Sequence, residues 1–186
     1  MPRLRQVSRS EAEAPIVVAM YDYLFDDRDP VVDPGTADGT TGDWWTVMAN
    51  SPPALQHAVD GFLFYQDPGR VLDPVLREVA QLRVGVAAGS RFVAEQHRLR
   101  LERLGVEPAL IEAVNTPGGI PDDPAAAEVV VLVDQMVAGL GAVDDEAFEP
   151  LRARLGDEAM LELCYITTMY LMHAVLSKTL QTEQDA

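Results

Sequence analysis

The chain has 186 residues, with 14 lysines and arginines against 30 aspartates and glutamates and a formal net charge of -16. That length suits a single domain, 1–186, able to bury a core without disulfides. The charge repels phosphate backbones and anionic lipid surfaces, so neither nucleic acid nor a membrane is an expected partner.

The only cysteine, Cys164, lies in the apolar run Leu161, Leu163, Cys164, Tyr165, Ile166 and reads as a small buried hydrophobe. The N-terminal residues Met1 to Ser10 carry arginines, but the apolar stretch Pro15 to Met20 is short for a secretion signal and ends in Tyr21 and Asp22. No run approaches the length expected of a membrane span. A cytoplasmic protein is expected.

Proline, glycine and Asp/Ser caps divide the chain into about eight helices, with no period-two alternation that would mark a strand, so the fold class is all-α. A capping box of Ser10 and Glu13 predicts a first helix from there to about Phe25. Residues 26–43, rich in Asp, Gly, Thr and Pro, read as a flexible loop, a lid or an oligomer arm, ending at Trp44 and Trp45. Helices follow near 53–66, 73–88 and 90–104, with Asp73-Pro74 a cap plus first-turn proline and Gly105 a stop. A short helix near 108–115 precedes the turn Asn115 to Asp123. Beyond it lie helices near 124–140, 144–155 and 157–180. The last of these carries Leu161, Tyr165, Met169, Met172 and Leu176 and is apolar over much of its circumference, so it needs cover on more than one side.

On the 90–104 helix, Ser90, Val93, His97, Leu101 and Leu104 fall on one stripe, which turns His97 inward. On the preceding helix Val75, Val79, Leu82 and Val86 form the apolar stripe, with Glu78 at its edge. The tight connection Gly89-Ser90 makes these helices neighbours, so Glu78 can orient or charge the imidazole for acid/base work. Residues 70–105 hold seven arginines (Arg70, Arg77, Arg83, Arg91, Arg98, Arg100, Arg103) against Asp73, Glu78, Glu95 and Glu102. Most of the seven are expected to pair internally; Arg83, flanking the Glu78 helix, is the candidate to hold a substrate carboxylate. Ser90 reads as a helix N-cap in preference to a nucleophile, although it shares the His97 stripe. His173, between Met169 and Leu176 on the last helix, reads as a core or interface residue, and His57 lacks an acidic or cysteine partner at ligand spacing; with no H-x-x-x-H or E-x-x-H arrangement, neither a metal nor any other cofactor is expected.

The stretch "LDPVLREVAQLRVGVAAGSRFVAEQHRLRLERLGVEPALIEAV" resembles the core signature of the carboxymuconolactone decarboxylase family, which includes the alkylhydroperoxidase D branch. The upstream "SPPALQHAVDGFLFYQ" and the closing "LCYITTMYLMHAVLSKTL" are similar in placement to the family's flanking helices. The likeness covers the chain from about Asn50 and, more weakly, Ser10 to Phe25. It implies an alkylhydroperoxidase D-like helical bundle that assembles as a homotrimer or homohexamer. The peroxidase branch carries a glutamate, a C-x-x-C pair and a histidine. Glu78 and His97 match, while Ser90 and Val93 stand at the cysteine positions. Dithiol peroxide reduction is therefore excluded. Decarboxylase-like members often place Glu-Trp just before the histidine, where this chain has Val93 and Ala94. Glu95 is rotated well away from that position. The resemblance implies a cofactor-free lyase or isomerase acting on a small carboxylated or lactone-type molecule, with His97 and Glu78 catalytic and Arg83 and Ser90 binding substrate. The alternative is a non-catalytic oligomeric binding or scaffold member.

Overall fold

The computed structural model describes residues 1–36 and 40–182. Among them there are eight α-helices and no strand: α1 Pro15–Phe25, α2 Asp43–Met48, α3 Pro52–Gln66, α4 Pro74–Ala87, α5 Arg91–Arg103, α6 Pro108–Asn115, α7 Pro124–Ala138 and α8 Asp145–Leu180. The chain divides into two compact units, Met1–Gly69 with the residues from Ser177, and Arg70–Leu176.

Side-chain caps place three of the helix starts. Asp73 accepts from the Val75 and Leu76 amides, Asp123 from Ala126 and Ser90 from Val93, and proline occupies the first turn of α4 and α7. Each side chain satisfies an amide that the helix leaves without an internal partner. The expected helices 144–155 and 157–180 are continuous in α8 except at Gly156, whose φ of 80° breaks the helical path.

The N-terminal end differs from expectation. The capping box forms between Ser8 and Glu11 on a single 3-10 turn, Arg9–Glu11, instead of between Ser10 and Glu13. Helix α1 begins only at Pro15, because proline lacks an N–H and biases the residue before it away from helical geometry. Trp44 and Trp45 do not end a loop; they lie within α2, where Trp44 packs edge-on to Trp45 at 4.9 Å and against Phe62 at 5.9 Å. With Val17, Tyr21, Phe25, Leu55 and Val59 they belong to the core of the first unit. The Tyr21 hydroxyl donates to the Val7 carbonyl at 2.7 Å. The described part of the 26–43 segment is tied down by Arg9, which donates to the Arg28 carbonyl at 2.7 Å, and by Arg28, which donates to that of Gly35 at 2.8 Å. Residues 37–39 of that expected loop lie outside the described residues.

In the second unit α4 is the central element, packed against α5, α6 and α7. Every residue from Glu78 to Gly85 is buried. The edge position expected for Glu78 is therefore an interior one, since helices cover α4 on more than one side. Helices α4 and α5 cross at Gly85, where a Cβ would lie 2.8 Å from the Ala94 Cα. Only glycine permits that approach. Leu104, expected on the inward stripe of α5, is instead 48 % exposed. At the C-terminal end Gly105, with φ 75°, ends the run.

Helix α8 buries Leu163, Ile166, Tyr170 and Ala174 and leaves Leu161, Tyr165, Met172 and Val175 exposed. It contains an 18-residue stretch long and apolar enough to cross a membrane by length and composition, which corrects the expectation that no run comes close. Of that stretch 44 % is buried inside the protein. Cys164 is half-buried, less enclosed than expected, and burial raises its thiol above the ordinary value of 9.0.

Candidate active site

Glu78 on α4 and His97 on α5 meet inside the second unit. His97 Nδ1 lies 2.6 Å from Glu78 Oε2, and both residues are 1 % exposed. The Gly85–Ala94 crossing brings the helices close enough for the contact. Arg77 donates to the other carboxylate oxygen, Oε1, at 3.0 Å. With the Gln81 amide turned so that its nitrogen faces Glu78, it donates to both carboxylate oxygens at 3.3 Å, and its carbonyl oxygen accepts from the Tyr170 hydroxyl at 3.2 Å. The Tyr170 ring stands edge-on to the imidazole, with centroids 4.6 Å apart.

His97 Nε2 is buried and has no hydrogen-bond partner among the described residues. Burial pulls the imidazole below its ordinary value of 6.5, against the hydrogen bond and charge of Glu78 and in the same sense as Arg100 and Arg77. Burial pushes the Glu78 carboxyl up, but the hydrogen bond and charge of His97, with Arg100 and Arg77, outweigh it and hold the group below 4.5. At neutral pH this gives an ionised Glu78 and a neutral His97. The carboxylate accepts the Nδ1 proton, so the Nε2 lone pair is left without a donor. Desolvation holds the Tyr170 phenol at about 12, so it remains protonated and donates to Gln81.

Of the four site residues expected from sequence, the structure brings together two. Arg83, 2 % exposed, is turned away: its guanidinium spans Asp134 at 2.6 and 2.5 Å and the Val114 and Thr116 carbonyls at 3.1 and 2.8 Å. It joins α4 to α7 and to the end of α6, which corrects its reading as the substrate-binding arginine. All its charge and geometry are absorbed by these acceptors. Ser90 caps α5, its hydroxyl accepting from the Val93 amide at 3.2 Å. The structure thus supports the capping reading of this residue.

Gln81, Tyr170 and the position of Arg100 were not singled out by sequence. Gln81 is one turn after Glu78 on the same face, a signal that was present; Tyr170 sits on a helix far along the chain, and nothing local ties it to α4. Glu162 was missed as well. Its buried carboxylate accepts from the Val71 and Leu72 amides at 3.2 and 3.0 Å and from Arg70 at 3.3 Å, which fixes the approach to α4. His173 is buried, 5.9 Å ring to ring from Tyr170, and His57 is on the surface. Among the described residues no three His, Cys, Asp or Glu side chains converge as metal ligands would.

No family model matches the chain, and no curated protein does. Solved structures do. A protein of unknown function from Agrobacterium tumefaciens, provisionally described as the antioxidant defence protein AhpD, superposes with a TM-score of 0.66 at 18 % identity, over 75 % of this chain and 95 % of that one. An uncharacterised peroxidase-related protein from Ralstonia eutropha JMP134, described as an alkylhydroperoxidase AhpD core, superposes with a TM-score of 0.65 at 17 % identity, over 77 % and 76 % of the two chains. The fold is therefore the all-α AhpD-like fold.

Proposed function

We propose that this chain is a cofactor-free acid/base enzyme, a decarboxylase-like lyase or isomerase acting on a small carboxylated or lactone-type molecule. The observation that carries the reading is the buried 2.6 Å Glu78–His97 pair, with the imidazole's second nitrogen left without a partner. A neutral imidazole oriented by a carboxylate through one nitrogen is a base at the other. In a lyase of this kind, loss of carbon dioxide from a β-keto or vinylogous acid leaves an enolate. His97, protonated at Nε2 by solvent water, would pass that proton to the enolate carbon, and the hydroxide left behind would take up the carbon dioxide as bicarbonate. Dithiol peroxidase chemistry is outside this reading, since Cys164 has no partner cysteine in the sequence. The chain is further proposed to act in the cytoplasm as a homotrimer or homohexamer. Support for assembly comes from Leu161, Tyr165, Thr168, Met172 and Val175, spaced four, three, four and three residues apart along one exposed face of α8.

The second reading, a non-catalytic oligomeric binding or scaffold protein, is favoured by the 1 % exposure of both Glu78 and His97, a degree of enclosure that also suits a purely structural pair. The test is carbon dioxide release or isomerisation across a panel of β-keto acids and carboxylated lactones. Turnover lost in His97→Gln, with the fold retained, supports the enzyme. Equal turnover in the variant overturns the role given to His97, and no turnover with any substrate of the panel supports the scaffold.

A further inference from the structure

Of the seven arginines of residues 70–105, four are held by carboxylates. Arg70 is held by Glu162, Arg77 by Glu78, Arg83 by Asp134, and Arg98 by Glu95 and Glu102. Arg100 is different: exposed on α5, it makes no hydrogen bond or ion pair among the described residues. It follows His97 by three positions, one turn along the same side of the helix, where side chains are neighbours. Arg103 also makes no such bond, but it lies six positions from His97, which rotates it to another side of α5.

We infer that Arg100 is the anion-holding residue of the site, and that it receives the carboxylate of a small organic acid over the Glu78–His97 pair. This rests on, and deepens, the acid/base reading above. Charge is the reason. Around the imidazole, Glu78 is paired with Arg77, and Arg100 is left as an excess positive charge with no ion pair of its own among the described residues. Its field reaches Glu78, His97 and Tyr170. A planar guanidinium suits a carboxylate fork, and a single small anion pays little of the repulsion that the chain's overall charge imposes on a polyanion.

The arrangement also couples binding to chemistry. Arg100 lowers the basicity of His97, so a carboxylate that neutralises it makes the imidazole a stronger base when substrate is present. By linkage, protonating His97 tightens the anion. The charged and titratable groups around the imidazole are Glu78 and Arg77 on α4, Arg100 on α5 and Tyr170 on α8.

The test uses benzoate as the probe and benzamide as its neutral counterpart, at constant ionic strength, read by NMR of the histidine rings. The expected result is saturable benzoate binding that moves the His97 titration upward, no binding of benzamide, and a loss of roughly tenfold or more in affinity in Arg100→Gln. Arg103→Gln should bind as the parent does. Both residues are exposed, so neither substitution threatens the fold. Unchanged affinity in Arg100→Gln, equal loss in Arg103→Gln, equal binding of benzamide, or no benzoate binding would each overturn the assignment. His97→Gln separates the two proposals: benzoate bound at Arg100 by this variant, alongside a parent protein with no turnover, sinks catalysis and leaves the anion subsite standing.

Discussion

Replacing Glu78 by glutamine tests what holds the candidate pair together. In the parent, Glu78 Oε2 accepts from His97 Nδ1 at 2.6 Å inside the second unit, and Oε1 accepts from Arg77 at 3.0 Å. Breaking a buried ion pair costs about 3–5 kcal/mol. That figure does not apply, because burial keeps His97 neutral and the lost interaction is a charge-assisted hydrogen bond, worth about 1.5–3 kcal/mol. The Arg77 side chain is 21 % exposed and can turn to water, so it adds little. Glutamine keeps the volume and leaves no cavity. A loss of about 2 kcal/mol is therefore expected in urea unfolding with an unchanged m-value. A loss below about 0.5 kcal/mol would mean that the pair is not held, and one above about 4 kcal/mol would mean that His97 is charged; either result refutes the reasoning.

Arg83→Ala should cost about 2–4 kcal/mol, because it strips the donors from Asp134 and two carbonyls, and should leave benzoate affinity unchanged; a stable variant with lost anion binding would restore Arg83 to the site. Gly85→Ala forces α4 and α5 apart at Ala94, for about 1–3 kcal/mol by thermal or urea unfolding, and should weaken the downfield Nδ1 proton signal of His97; an unperturbed signal would show that the crossing does not set the pair. Both groups of the pair are lowered in the folded state, so the unfolded chain binds protons first: the stability they confer is complete above 6.5 for His97 and above 4.5 for Glu78, and is lost as pH falls from those values through the folded ones. His97→Gln should flatten the limb that starts at 6.5, and an unaltered limb would assign it elsewhere. Light scattering should give a trimer or hexamer, and Leu161→Glu with Tyr165→Glu should reduce it; a parent protein with the mass of one chain would rule out the assembly.

Much of the secondary structure was legible because its causes are local. Asp73-Pro74, Asp123-Pro124 and Ser90 start helices through bonds to amides two or three residues away, and Gly105 and Gly156 end or break them through their own backbone conformation. The Glu78–His97 pairing was legible for a related reason: two consecutive helices joined at Gly89-Ser90 have little choice but to be neighbours. The absence of a dithiol pair needed only the cysteine count.

What tertiary structure decided was the environment of each polar residue. Glu78 is interior because α5, α6 and α7 surround α4, which the edge position on a helical wheel cannot reveal. Arg83 and Arg100 have the same chemistry and lie in the same basic segment. One is consumed by Asp134 and two carbonyls contributed from 31 to 51 residues away, while the other makes no hydrogen bond or ion pair among the described residues. Tyr170 reaches the imidazole from a helix more than 70 positions along the chain. Helix α8 shows the same division: its apolar residues are plain in sequence, but only packing determines that Leu163 and Ile166 face the interior while Leu161 and Tyr165 face outward. Periodicity records which residues share a face, and the partners that cover a face come from distant parts of the chain.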